Sequence, residues 1–214
     1  MTAGDLMDEI STRAVPRPAA LEHTLSRFRS GEPVILGLET GSLIVFGAAV
    51  ASSTSTAAAI SHGSGLIFVA LTRQRLRELR IPAMPAEPGS LCPDTHVAVD
   101  AATGIGTGIS AHDRAQTIRL LADAGSAPDS FHRPGHVIPV AADLRVGTIA
   151  TAPQVVLMLA ALSGGRPEAA AFTSLVSVAD PCGLATPGEG VQIAARLGRA
   201  YIDSDIIAKS FYWL

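Results

Sequence analysis

Apolar positions along the chain fall into two periods. Leu21, Leu25 and Phe28 stand at i, i+4 and i+7, which lines one face of a helix, so residues 19–29 read as an amphipathic helix that Gly31 and Pro33 end. Three apolar runs follow as strands: Val34-Ile35-Leu36, residues 43–50 and residues 65–71. Residues 52–61 open on Ser and Thr and continue in Ala, a capped helix. Residues 73–80 read as a basic helical turn stopped before Pro82, and the proline-rich residues 83–94 as a loop. Residues 97–99 predict a short strand, 111–124 a helix, 125–134 a turn region and 137–140 a strand. Residues 154–162 are apolar on nearly all sides, a buried helix. Residues 171–178 predict a strand, 190–197 a helix and 201–202 a strand stub. Residues 203–214 predict a closing helix capped by Asp203 or Ser204. Strands and helices intermix without strict alternation, which predicts an α+β domain built on a mixed sheet.

Composition narrows this picture. The 214 residues suffice for one domain and are short for two. With 48% hydrophobic and 16% charged residues the chain is not disordered, and part of its surface is expected to be hidden in a subunit interface. A net charge of −3 argues against a general nucleic-acid binder. Cys92 and Cys182 form no disulfide framework, so reduced thiols and a cytoplasmic location are expected. No apolar run approaches the roughly 20 residues of a membrane span. Asp5, Asp8 and Glu9 exclude a secretory signal at the N-terminus. Residues 1–18 read as a flexible leader before a single domain at 19–214.

Three polar segments carry the candidate chemistry. His62-Gly63-Ser64-Gly65 allows close backbone approach to a ligand through His62 and Ser64, or makes a tight helix-to-strand turn. Residues 104–108 hold three glycines, and Thr107, Ser110, Asp113 and Arg114 then gather at a helix start. That arrangement suits an anion such as phosphate, or a helix cap with a solvated Asp–Arg pair. Arg133-Pro134-Gly135-His136 sets a histidine before an apolar strand, either a general acid/base or a structural histidine. His23, His96 and His132 show no metal-ligand spacing, and no Walker loop, GxSxG elbow or dinucleotide fingerprint occurs.

In this order and spacing the stretches SHGSGLIFVAL (61–71), GIGTGISAHDRAQTIR (104–119) and RPGHVIPV (133–140) resemble the 3,4-dihydroxy-2-butanone 4-phosphate synthase family. Members convert ribulose 5-phosphate to a four-carbon phosphate and formate in riboflavin biosynthesis. The resemblance runs from about residue 21 to 206. It implies an α+β fold, a homodimer, and a small-molecule site near the dimer interface.

The departures from the family lie elsewhere in the chain. The family's acidic loop after its first strand, of the form DDExRExEGD, corresponds to Leu36-Gly37-Leu38-Glu39-Thr40-Gly41-Ser42, with Glu39 as the single carboxylate and Leu38 at an Arg position. In the family's RGGHTEA block, Ala152 takes the place of the metal-binding His, Ile149 that of the phosphate-contacting Arg, and Gln154 that of the Glu. Ser174 stands where the family has a catalytic carboxylate, and Ser61 where it has the Arg of RHGSG. Magnesium needs several oxygen ligands and negative charge, so no metal site and no resident cofactor are expected. The resemblance leaves His136 as general acid/base and Glu39 as a second carboxylate. Thr107, Ser110, Asp113, Arg114, Arg133, His62 and Ser64 remain as substrate contacts. The expected activity is a metal-independent lyase or isomerase reaction on a small carbonyl compound. The alternatives are a non-catalytic interaction or regulatory subunit, and residual synthase activity. Neither a nucleic-acid nor a membrane partner is expected.

Overall fold

In the computed structural model, which describes residues 17–87, 94–144, 150–164 and 168–212, β1 (Val34–Leu38) and β2 (Gly41–Gly47) form an antiparallel hairpin that closes with Leu38 opposite Gly41. Helix α1 (Ala19–Arg29) precedes it and buries Leu21, Leu25 and Phe28, the stripe read from the sequence. Helix α2 (Ser53–His62) starts on a reciprocal cap between Ser52 and Ser55. Then come β3 (Ile67–Thr72), the short α3 (Arg73–Glu78), β4 (Val99–Ala101), α4 (Ala111–Leu121) and a 3-10 turn at Pro128–Ser130. The chain continues through β5 (Phe131–Ala142), α5 (Ala152–Leu162), β6 (Ala169–Ser174), α6 (Pro187–Leu197), β7 (Tyr201–Asp203) and α7 (Ser204–Tyr212).

The strands form one mixed sheet in the order β4-β5-β3-β6-β2-β1-β7. β3 runs parallel to β5 and β1 to β7, and the other pairings are antiparallel. Alternate side chains feed two cores. Ile35, Ile44, Phe46, Ile67, Val69 and Val137 face Ala59 of α2, Ile118 of α4 and Ile193 of α6. Leu36, Leu43, Val45 and Phe172 face α1, α5 and Ile207 of α7. The α+β class and mixed sheet expected from the sequence are the ones observed.

Several boundaries differ. The strand expected over 43–50 starts at Gly41 and stops at Gly47. Every residue in it is buried, between β6 and β1 in the sheet, so this run is core, and Val50 beyond it is 45% exposed. The strand expected over 171–178 ends at Ser174 and continues only as single bridges, Gly63 with Leu175 and Val176 with Leu184. Helix α6 begins at Pro187, before the expected 190, because Thr186 and Glu189 form a capping box. The helix expected to run to 124 ends at Leu121, and the strand expected over 97–99 lies at Val99–Ala101. The strand expected over 137–140 is the end of a longer β5, and the helix expected from 154 starts at Ala152. The proline-rich loop closes on a bridge between Ala83 and His96. Most of the expected leader, together with Cys92, Ile149 and the last two residues, lies outside the described residues. No helix among the described residues is long and apolar enough to cross a membrane.

Candidate functional site

His136 is delivered by a bulge. β4 sets Val99 opposite Val137 but Asp100 opposite His132, so residues 133–136 of β5 have no counterpart on β4. The bulge contains the cis Arg133–Pro134 peptide. Gly135 lies against the backbone of Val99 and Asp100, where a side chain has no room. The excursion turns His136 onto Asp100, whose Oδ1 accepts the His136 backbone N–H at 2.9 Å while Oδ2 lies 2.7 Å from Nδ1. Asp100 is buried, and the His136 side chain is 39% exposed. A carboxylate on Nδ1 fixes the proton there and leaves Nε2 as the nitrogen that can take or give one. Sequence reasoning missed Asp100. The available signal was a lone carboxylate inside the apolar run Val97-Ala98-Val99-Asp100-Ala101.

The glycine-rich segment closes over this pair. Gly108 has φ +84°, and a Cβ on it would lie 2.8 Å from His136 Nδ1. Its N–H is held by Asp113 Oδ2 at 3.1 Å. Ser110 caps α4 by accepting the Asp113 N–H at 3.0 Å, and Thr107 and Ser110 stay exposed. Arg114 donates to the Gly65 carbonyl at 3.1 Å, and its buried Nε has no hydrogen-bond partner among the described residues. Burial holds the Arg114 guanidinium below its ordinary pKa, against the opposing pull of Asp100. The Gly65 bond ties in the 62–65 turn, where Ser64 Oγ meets Thr173 Oγ1 at 3.1 Å and His62 ends α2.

Arg133 and Glu39 are placed otherwise. The Arg133 guanidinium donates to three backbone carbonyls, those of Pro128 (3.2 Å), Phe131 (3.2 Å) and Leu79 (2.8 Å), so here it braces the bulge. Glu39 is exposed on the β1–β2 turn. Four strand spacings separate β5 from β1, about 19 Å at 4.8 Å each. The two acid/base candidates, His136 and Glu39, are therefore not brought together within one chain.

Leu38, Ala152 and Ser174 converge instead on a cavity of about 260 Å³ between the sheet and the start of α5. Its floor is the stacked pair Phe68 and Phe172, with ring centroids 5.5 Å apart. Leu43, Val140 and Pro153 supply further apolar wall. Asp94, the one charged side chain lining it among the described residues, is bound by Arg73 at 2.6 Å. Arg73 also holds Asp143 at 2.9 Å, and the two carboxylates raise its pKa. Glu39 lines an adjoining outer cavity with Asp205. Gln154 caps its own helix, Oε1 accepting the Thr151 N–H at 2.8 Å.

The sequence profile described as 3,4-dihydroxy-2-butanone 4-phosphate synthase matches residues 22–208. The chain is 38% identical over 131 residues to the synthase so named from Schizosaccharomyces pombe, covering 58% of this chain and 64% of that protein. It is 35% identical over 127 residues to that of Citrobacter koseri, covering 57% and 58%. The match to the Arabidopsis thaliana protein named monofunctional riboflavin biosynthesis protein RIBA 3, chloroplastic, is 35% over 129 residues and spans 25% of its length. The chain thus spans from about a quarter to just under two thirds of these relatives. Among solved structures, the synthase of Candida albicans superposes with TM-score 0.80 at 26% identity, over 91% of this chain and 98% of that one. A synthase structure in complex with two magnesium ions gives TM-score 0.79 at 28% identity, over 89% and 95%.

The residues of this chain do not suit such a cation. A hard divalent ion needs several oxygen ligands. Ala152 stands at the position of the ligating His, and Glu39, the one carboxylate of the shortened loop, is exposed, while Leu38 and Ser174 at the Arg and catalytic-carboxylate positions bring no charge. No three His, Cys, Asp or Glu side chains gather to hold a metal among the described residues. The polar segments nevertheless assemble around Asp100 and His136, and three of the substituted positions, Leu38, Ala152 and Ser174, line one cavity, whereas Gln154 caps its own helix and Ser61 donates to the Ala57 carbonyl. With a profile match over most of its length and the same fold in solved structures, the chain belongs to the 3,4-dihydroxy-2-butanone 4-phosphate synthase family.

Proposed function

We propose that the chain carries out lyase or isomerase chemistry on a small carbonyl compound, with His136 as the general acid/base and without a resident divalent cation. The observation that carries this reading is the Asp100–His136 pair, 2.7 Å apart, with the imidazole partly open to solvent. An imidazole oriented by a buried carboxylate can remove a proton beside a carbonyl and return it elsewhere, the step common to enolisation and elimination. The exposed hydroxyls of Thr107 and Ser110 stand beside it as contacts for substrate oxygens, and Asp113 and Arg114 hold that loop in place. Val140 and Ala141 of β5 line the cavity but His136 does not, and the reading places the ligand at the contact of a homodimer. Leu66 and Ile109, 55% and 59% exposed on segments adjoining His136, offer apolar surface for that contact.

A second reading, a non-catalytic family member, draws on the occupation of the cavity wall by Leu38 and Pro153. One pair of assays separates the readings. Formate release from ribulose 5-phosphate is measured with magnesium and with a chelator, and deuterium uptake from D2O into small hydroxyketones is followed by NMR. The expected result is no formate in either condition and uptake that His136→Ala abolishes. Magnesium-dependent formate would overturn the proposal in favour of synthase activity. Absence of uptake with every ketone would support the non-catalytic member.

A further inference from the structure

We infer that the cavity between the sheet and the start of α5 takes an uncharged, largely apolar small molecule and rejects phosphorylated sugars. This deepens the proposed function by naming the ligand class, and it rests on that reading. Three observations carry it.

The first is the lining. A flat pair of stacked rings, Phe68 and Phe172, forms the floor, and Leu38, Leu43 and Val140 form the walls. Stripping water from a phosphate against such a surface is costly, and no cationic side chain of the lining among the described residues offsets it. The second is charge. No Arg, Lys or His lines this cavity or the adjoining outer one among the described residues, whereas Asp94 lines the first and Glu39 and Asp205 the second. An entering phosphate would face carboxylates, and the cation beside Asp94, Arg73, already bridges Asp94 and Asp143. The third is size. At about 260 Å³ the space exceeds the roughly 150 Å³ apolar cavity that accommodates benzene. Thr40, Ser42, Thr151 and Ser174 add hydroxyls to the lining, of which those of Ser42 and Thr151 already donate to other groups of the chain. The half-buried Ser174 hydroxyl makes no hydrogen bond to a described residue and can meet a hydroxyl or carbonyl on the ligand.

The test uses benzyl alcohol and toluene as probes, read by saturation-transfer NMR on the whole protein, with inorganic phosphate and ribulose 5-phosphate as competitors. Both probes are expected to bind, with neither phosphate compound displacing them. Ser174→Glu, which introduces a charge, and Ala152→Phe, which fills the space, are each expected to weaken benzyl alcohol at least tenfold while leaving the melting temperature within a few degrees. His136→Ala is expected to bind the probes as the parent does. Loss of proton exchange with intact probe binding would therefore concern the proposed reaction alone. Failure of both probes to bind the parent, displacement by either phosphate compound, or undiminished binding in both cavity variants would overturn the inference.

Discussion

The β4–β5 edge of this sheet and the cavity under the start of α5 solve opposite problems. At the edge, polar side chains are held by backbone groups and by one another. Asp100 takes both the main-chain and side-chain nitrogens of His136, Asp113 takes the Gly108 N–H, and three carbonyls take the Arg133 guanidinium. In the cavity, which reaches from Leu38 of β1 to Val140 of β5, Leu38 and Ala152 present apolar side chains and Ser174 a hydroxyl. In a network whose members satisfy one another's buried polar groups, removing one member leaves several others unsatisfied. An apolar wall tolerates exchange of similar volumes. Exchanges in the cavity wall can therefore leave the edge network in place.

The sharpest way to break the edge is Gly135→Ala. The added methyl would meet the Val99 and Asp100 backbone, which cannot yield as a side chain can. The expected cost is on the order of 3–4 kcal/mol of stability, and the His136–Asp100 hydrogen bonds are expected to break. Chemical denaturation measures the first effect and the His136 ring signals in NMR the second. A variant as stable as the parent would show that the bulge is adaptable.

Asp100→Asn probes chemistry at the same edge with little change of shape. The amide can still meet His136, but it no longer favours a proton on Nδ1, so proton exchange should fall by about 10²–10⁴-fold. A change in rate constant at unaltered KM, with a shifted pH profile, marks orientation of His136. An unchanged rate with lower stability would make Asp100 purely structural.

The two regions were unequally legible in the sequence. The helix stripe of Leu21, Leu25 and Phe28 and the apolar α5 declared themselves because burial follows period. His136 and the Gly108–Arg114 segment were legible because glycine, proline and cap residues have few other reasons to cluster. Asp100 was not, since its partner is 36 positions away and joined only through a bulge. The distance between Glu39 and His136 was hidden for the same reason, as strand order is absent from local pattern. Arg133 looked like a ligand contact, but its role as a brace depends on where Leu79 and Pro128 lie.

The smallest expected effect sharpens the apolar side. Leu184 reaches the cavity from a loop that Glu189 organises. The Glu189 carboxylate accepts the Ser177 hydroxyl at 2.6 Å and the N–H groups of Val178 (3.1 Å) and Thr186 (3.0 Å). These donors, the Ser177 hydroxyl foremost, pull the Glu189 pKa from an ordinary 4.5 to about 2. A depressed folded-state value means that the ionised form favours the fold. The contribution is full above pH 4.5 and is lost as pH falls toward about 2. Glu189→Gln removes it, so the melting-temperature gap between parent and variant should be constant from neutral pH to about 4.5 and close below that. A gap that persists at the acid end would mean the loop is held by its shape and not by the carboxylate. Leu184 would then cover the cavity whatever the charge at position 189.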